Sequence, residues 1–194
     1  MEKCRLVVGM SGASGQILGI RLLEVLRDMP EVETHLVISP SARTTIVQET
    51  TWQPADVAAL ADVTYRADDI GAPIASGSFA TMGMVIVPCS IKTLSAVANC
   101  YASDLLSRAA DVTLKEGRPL MLGVRETPLH LGHLRLMVKA AEMGAVIFPP
   151  MPAFYARAQT PADMVDALVG RMLARLGIPN ALFTEWAGSR GVEE

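Results

Sequence analysis

Aromatic side chains are scarce in this sequence: four Phe, two Trp and three Tyr make up 5% of 194 residues. Its core must therefore be filled mainly by aliphatic residues and methionine. Cysteine is scarcer still. Cys4, Cys89 and Cys100 fit neither a disulfide framework nor a zinc site, and point to a reducing, cytoplasmic compartment. Basic charge shows no excess. Seventeen Lys and Arg against 20 Asp and Glu leave a net charge of −3, which argues against a nucleic-acid or anionic-membrane surface. No apolar run approaches the ~18 residues of a membrane span. The opening Met-Glu-Lys-Cys-Arg leads straight into a strand rather than into a signal peptide. Internal repeats and low-complexity segments are missing as well.

Hydrophobic residues are plentiful, at 51%, with 19% charged, ample for a buried core. A mean hydropathy of +0.33 is high for a monomer and points to apolar surface buried between subunits. The length suits one domain over 1–194, with 180–194 as a C-terminal tail.

The organising stretch is Leu6-Val7-Val8-Gly9-Met10-Ser11-Gly12-Ala13-Ser14-Gly15, followed at once by helical periodicity at Ile17, Ile20, Leu23 and Leu26. It reads as strand, tight turn and helix start. Ser11 and Ser14 stand ready to cap the helix or donate to an anion, and the first-turn N–H groups and helix dipole favour a phosphate there. The spacing is neither the GxGxxG of dinucleotide folds nor a P-loop. A second strand, Val32–Ile38, opens a helix at Ser39-Pro40-Ser41 that runs to about Glu49; Ser39 stands where a nicotinamide fold would want an acid. Pro54–Leu60 reads as a short helix and Asp62–Gly83 as a long loop. Met84–Val87 is a strand leading into Pro88-Cys89-Ser90-Ile91-Lys92-Thr93. Then follow a helix over Asp104–Lys115, a strand over Leu120–Val124, a helix over Pro128–Met143, a strand over Ala145–Phe148 and a helix over Pro161–Leu176. The alternation predicts an α/β fold, a doubly wound, mostly parallel sheet with ligands beyond the carboxyl ends of the strands. Hydroxyls and backbone N–H groups with few acids there suit a phosphorylated, planar cofactor such as FMN.

Six ordered motifs resemble those of the UbiX/Pad-type flavin prenyltransferases. They are Gly9–Gly15, Ala75-Ser76-Gly77-Ser78, Pro88-Cys89-Ser90 with Lys92-Thr93-Leu94, Arg108–Val112 with Leu114-Lys115-Glu116, Arg125-Glu126-Thr127-Pro128-Leu129, and Pro149–Tyr155. The resemblance runs over about residues 4 to 187. It implies a flavodoxin/Rossmann-like single domain, usually dodecameric and metal-independent. The implied activity is transfer of a dimethylallyl group from dimethylallyl phosphate to reduced FMN, for use by a partner UbiD-type decarboxylase.

Carried over residue by residue, the resemblance implies FMN contacts at Gly12, Ala13, Ser14, Ser39, Ser90, Thr93 and Arg125. Arg125 also lies near the prenyl phosphate. Ser14 and Glu49 match a proton-handling pair, with Glu126 a further candidate acid or base. Arg108, Lys115, Glu126, Tyr155 and Arg171 match a prenyl-phosphate pocket assembled across subunits. Ala75 and Ser76 match the loop beside the prenyl chain, and Trp186 a pocket-lining residue. Each has a plainer alternative: Glu49 as a last-turn surface acid, Arg108 and Lys115 as a solvated helix stripe, Tyr155 as a cover for a sheet end, Arg171 as a solvated helix residue. Cys89 reads as a small buried residue, not a nucleophile. His130 and His133 have zinc-like spacing but no third ligand. Arg135 and Leu136 replace a common Glu-Asn, which bears on subunit packing or the placement of the Arg125 loop. Two competing functions are an FMN-dependent cysteine decarboxylase and a flavin carrier serving a decarboxylase.

Overall fold

The computed structural model describes residues 3–186 and 188; Met1, Glu2 and, of the expected tail, 187 and 189–194 lie outside the described residues. Two compact units, Met1–Pro150 and Met151–Glu194, are taken in turn.

The first unit is a six-stranded sheet with every pairing parallel. Its strands are β1 (Cys4–Met10), β2 (Val32–Ile38), β3 (Val63–Tyr65), β4 (Gly83–Cys89), β5 (Leu120–Val124) and β6 (Val146–Ile147). The helices are α1 (Gln16–Arg27), α2 (Pro40–Glu49), α3 (Pro54–Ala58), α4 (Ile91–Ala98), α5 (Leu105–Lys115) and α6 (Leu131–Glu142). Residues 6–10 of β1 and every residue of β4 and β5 are buried, so both faces of the sheet are covered there. The spatial order is β3-β2-β1-β4-β5-β6. This is the dinucleotide-fold order, and without the short edge strand β3 it is the flavodoxin order. The chain leaves β1 towards β2 on one side and returns to β4 on the other. The switch point therefore falls between the carboxyl ends of β1 and β4, where a ligand crevice opens.

The core is aliphatic and Met, as the composition requires. Leu6, Met10, Ile20, Leu22, Leu36, Ile38, Met84 and Ile86 are fully buried, and no Phe, Tyr or Trp is. Helix α6 is the exception in packing. Ala140 is its one buried residue, while Leu131, Leu134 and Val138 form an exposed apolar stripe.

The element expectations need three corrections. The loop expected over 62–83 contains β3 and a 3-10 turn at Pro73–Ala75. The sixth helix starts at Leu131, not at Pro128, because His130 accepts the Gly132 N–H as its N-cap. Strand β4 continues through Pro88 to Cys89, with a register shift between Ile86 and Cys89.

The second unit holds a 3-10 turn at Phe154–Ala156 and α7 (Pro161–Arg175). Helix α7 opens with Pro161 at its first position and a capping box between Thr160 and Asp163. The tail folds back on α7: Asn180 Nδ2 donates to Gly170 O at 3.0 Å, and a side chain at Gly170 would meet Asn180, Leu182 and Phe183.

Candidate active site

Four strand ends are tied together at the switch point. The buried Ser11 side chain joins β1 to β4: its hydroxyl donates to Pro88 O at 3.0 Å and accepts from Ser90 N at 2.8 Å. Ser39 N donates to Met10 O, and Arg125 N donates to Cys89 O. Ser11 is thus spent on joining two turns, and neither it nor Ser14 caps α1. Ser39 caps α2 by accepting from Ala42 N, and Ser90 caps α4 by accepting from Thr93 N. Ser90 Oγ also donates to the buried Thr93 hydroxyl at 3.2 Å. Two helix N-termini with hydroxyl caps therefore flank the crevice. Gly12 packs against the first turn of α2 so closely that any Cβ would overlap the Ser41 side chain.

The start of α1 differs from the phosphate seat expected there. Its cap residue Gly15 has no side chain to offer, and Glu49, from the last turn of α2, supplies the acceptor instead. Glu49 Oε2 accepts from Gly15 N at 2.8 Å and from Gln16 N at 3.3 Å. A carboxylate thus holds the positive end of α1, and a phosphate dianion beside it would be repelled. Partial burial alone would raise the Glu49 carboxyl. Donation from the Ser14 hydroxyl and from Gly15 and Gln16 N–H, together with the Arg125 charge, outweighs this and holds it below the usual glutamate range. Ser14, Glu49 and Arg125 therefore form one cluster at the crevice. Glu126, next in the chain, is exposed and accepts the Thr127 N–H.

Ala75, Ser76, Arg108 and Lys115 form a second group along α5. Arg108 pairs with Asp111 at 2.7 Å, and its Nε donates to Ala75 O at 3.2 Å. Lys115 pairs with Glu116, and Gly77 passes so close beneath both that a Cβ would collide with their ends. As α5 returns to the start of β5, its last turn and Gly77 lie towards the amino edge of the sheet. Within one chain Lys115 is not brought to Ser14 and Arg125. The third group lies in the second unit. The Tyr155 and Trp186 rings meet edge to face at 5.3 Å, and the Arg171 guanidinium lies 5.5 Å from the Phe183 ring centre.

The Flavoprotein family matches residues 1–173, across the boundary between the two units. The flavin prenyltransferase UbiX of Escherichia coli K12 is 60% identical over 187 residues, covering 95% of this chain and 99% of the relative. The chain belongs to the UbiX-type flavin prenyltransferase family. The solved structure of AnUbiX (PadA1) in complex with FMN and dimethylallyl pyrophosphate superposes with a TM-score of 0.95 at 49% identity, covering 97% of this chain and 100% of that one. A dodecameric FMN-dependent UbiX-like decarboxylase from E. coli O157:H7 gives 0.93 at 49%, covering 95% and 100%.

For a flavin prenyltransferase family member, three positions stand out that pattern reading did not assign. Gln16 is fully buried, and its Nε2 donates to both Ser11 O and Ala13 O at 2.8 Å, bracing the glycine turn. Arg118 and Phe183 are the other two. Gln16 and Arg118 act on carbonyls that no spacing rule reveals. Phe183 required knowledge that the tail returns to α7. Burial pushes the Cys89 thiol up to about 12, in keeping with its expected role as an inert core residue. Leu136 packs against the core, while Arg135 is exposed on a groove of about 560 Å³ that also carries Lys92, Lys139, His130 and His133. Among the described residues no group of three His, Cys, Asp or Glu side chains is placed to hold a metal, and no helix is long and apolar enough to cross a membrane.

Proposed function

We infer that this chain is a flavin prenyltransferase that joins a dimethylallyl group from dimethylallyl phosphate to reduced FMN. The observation that carries the reading is the Ser14–Glu49–Arg125 cluster at the carboxyl edge of the sheet, in a chain of this family. The crevice residues fit FMN. Two capped helix N-termini, at Ser39 and Ser90, offer first-turn N–H groups to a phosphate, and the Thr93 and Ser14 hydroxyls and the bare Gly12–Ala13 backbone line the remainder. Because Glu49 holds the start of α1, the phosphate belongs with α2 and α4.

Reduced FMN, when bound, supplies the nucleophilic ring atoms and the electron-rich face that meets the allyl group. Arg125, beside Glu49, balances the charge that grows on the leaving phosphate. Tyr155 and Arg171, with Arg108 and Lys115, are the further donors for that phosphate. Lys115 lies at the end of α5 remote from its own crevice, so a neighbouring subunit supplies it, and the dodecameric UbiX-like relative supports a homo-dodecameric assembly. Ser14 donates to Glu49, which is a carboxylate at neutral pH. A proton taken up at the Ser14 oxygen passes to Glu49 as the Ser14 proton leaves, and such a base contributes about 10²–10⁴-fold to rate. The product goes to a UbiD-type decarboxylase, in the reducing cytoplasm that three unpaired cysteines suit.

Phosphate release from dimethylallyl phosphate, measured with and without reduced FMN, tests the reading. Release that requires reduced FMN is expected. FMN binding with no release identifies a carrier, and carbon dioxide released from a peptide ending in cysteine identifies a decarboxylase.

A further inference from the structure

Helix α5 ends in Lys115-Glu116-Gly117-Arg118-Pro119. Glu116 is the C-cap, and Gly117 follows with φ +65°, a left-handed conformation that glycine adopts without strain. Gly117 N donates to Leu114 O and Arg118 N to Thr113 O at 2.9 Å, the paired bonds of a Schellman ending. Pro119 follows, and its carbonyl accepts the Met84 N–H at the start of β4. Arg118 thus leaves a helix end fixed on both sides.

Its guanidinium turns back across the loop that precedes β4. Nη2 donates to Gly77 O at 2.7 Å and Nη1 to Phe79 O at 2.8 Å, with Thr81 Oγ1 at 3.5 Å. The Phe79 ring is seated separately, 4.6 Å beneath the Arg5 guanidinium and edge-on to the buried His35 ring at 5.1 Å. One residue upstream of Ser76, Ala75 O accepts from Arg108. Beyond the 3-10 turn that ends at Ala75, a single backbone bond, Phe79 N to Ser76 O at 3.2 Å, closes the segment, and two arginines grip its Ala75, Gly77 and Phe79 carbonyls. Arg118 is half-buried and forks over two of these carbonyls, a geometry that a lysine cannot reproduce.

We propose that Arg118 is a positioning residue for the prenyl donor: by clasping Gly77 and Phe79 it sets the Ala75–Ser76 backbone where the prenyl chain lies. This rests on the flavin prenyltransferase reading and adds to it a residue that does not itself touch flavin or donor. The test uses the full-length oligomer and compares wild type, Arg118→Lys and Arg118→Ala. Steady-state transfer is measured with dimethylallyl phosphate varied at saturating reduced FMN, alongside FMN titration. For Arg118→Ala the KM for the donor rises about tenfold, about 1.4 kcal/mol of lost positioning, while kcat and FMN affinity hold; Arg118→Lys restores part of the loss. Amide exchange over 75–81 speeds up in Arg118→Ala while β1 and α1 remain protected, a readout that survives even if the variant is inactive. An unchanged KM, a parallel loss of FMN affinity, or unaltered exchange over 75–81 overturns the proposal while wild-type transfer stands. Absence of transfer in the wild type overturns the functional reading instead.

Discussion

Glu49→Gln separates the two tasks of the carboxylate at the start of α1. The amide keeps an oxygen that can accept the Gly15 N–H, so the turn carrying Ser14 retains its anchor. It loses a negative charge at a helix N-terminus, which contributes about 0.3–1 kcal/mol at an exposed position. Glu49 is exposed, and the cost lies near the middle of that range. In a chain of this size it lowers Tm by about 1–3 °C. The folded pKa of Glu49 lies below its unfolded value, so its stabilisation is complete above the unfolded pKa of about 4.3 and disappears as pH falls through the folded pKa. The variant should therefore differ from wild type in Tm at pH 7 and converge with it in acid. Chemistry suffers far more: loss of a proton acceptor costs about 10²–10⁴-fold in turnover, with flavin affinity held because Glu49 occupies α1 and not the phosphate seat. The assay is single-turnover transfer with FMN titration on the same preparation. Wild-type turnover, or flavin loss matching the turnover loss, would refute the reasoning.

Three further outcomes follow from the same geometry. Gly12→Ala pushes a methyl into Ser41 and displaces the first turn of α2, so FMN affinity falls in equilibrium titration and the overlap costs about 1–3 kcal/mol, read as a lower Tm. Ser11→Ala strips the acceptor from the part-buried Ser90 N–H and costs about 1–3 kcal/mol, read as a loss of Tm and of FMN together. If Arg171 binds the donor phosphate as proposed, Arg171→Ala costs about 1.5–3 kcal/mol of donor binding, so donor affinity falls by about 10- to 150-fold with FMN affinity intact, checked by paired titrations.

Most of the sheet was legible because buried parallel strands write continuous apolar runs. Val32–Ile38 and Leu120–Val124 match β2 and β5 residue for residue. Strand β3 escaped because three residues at a sheet edge carry no pattern. The helix start at Ser39-Pro40-Ser41 was legible from its strand-to-helix turn, whereas the capping roles of Ser39 and Ser90 emerge only in the structure. The cap on α1 was not legible, since its acceptor sits more than thirty residues away on another helix, and the first-turn amides expected to greet a phosphate are already bonded to Glu49. Arg118 escaped for the same reason. Its partners are backbone carbonyls some forty residues earlier, and a carbonyl has no residue type to recognise.

The most direct measurement of the central claim is mass analysis of the flavin recovered after one anaerobic turnover of the purified oligomer with dimethylallyl phosphate and pre-reduced FMN. The account predicts FMN carrying one added five-carbon unit, formed with stoichiometric inorganic phosphate. FMN recovered unchanged, with the donor intact, would contradict it.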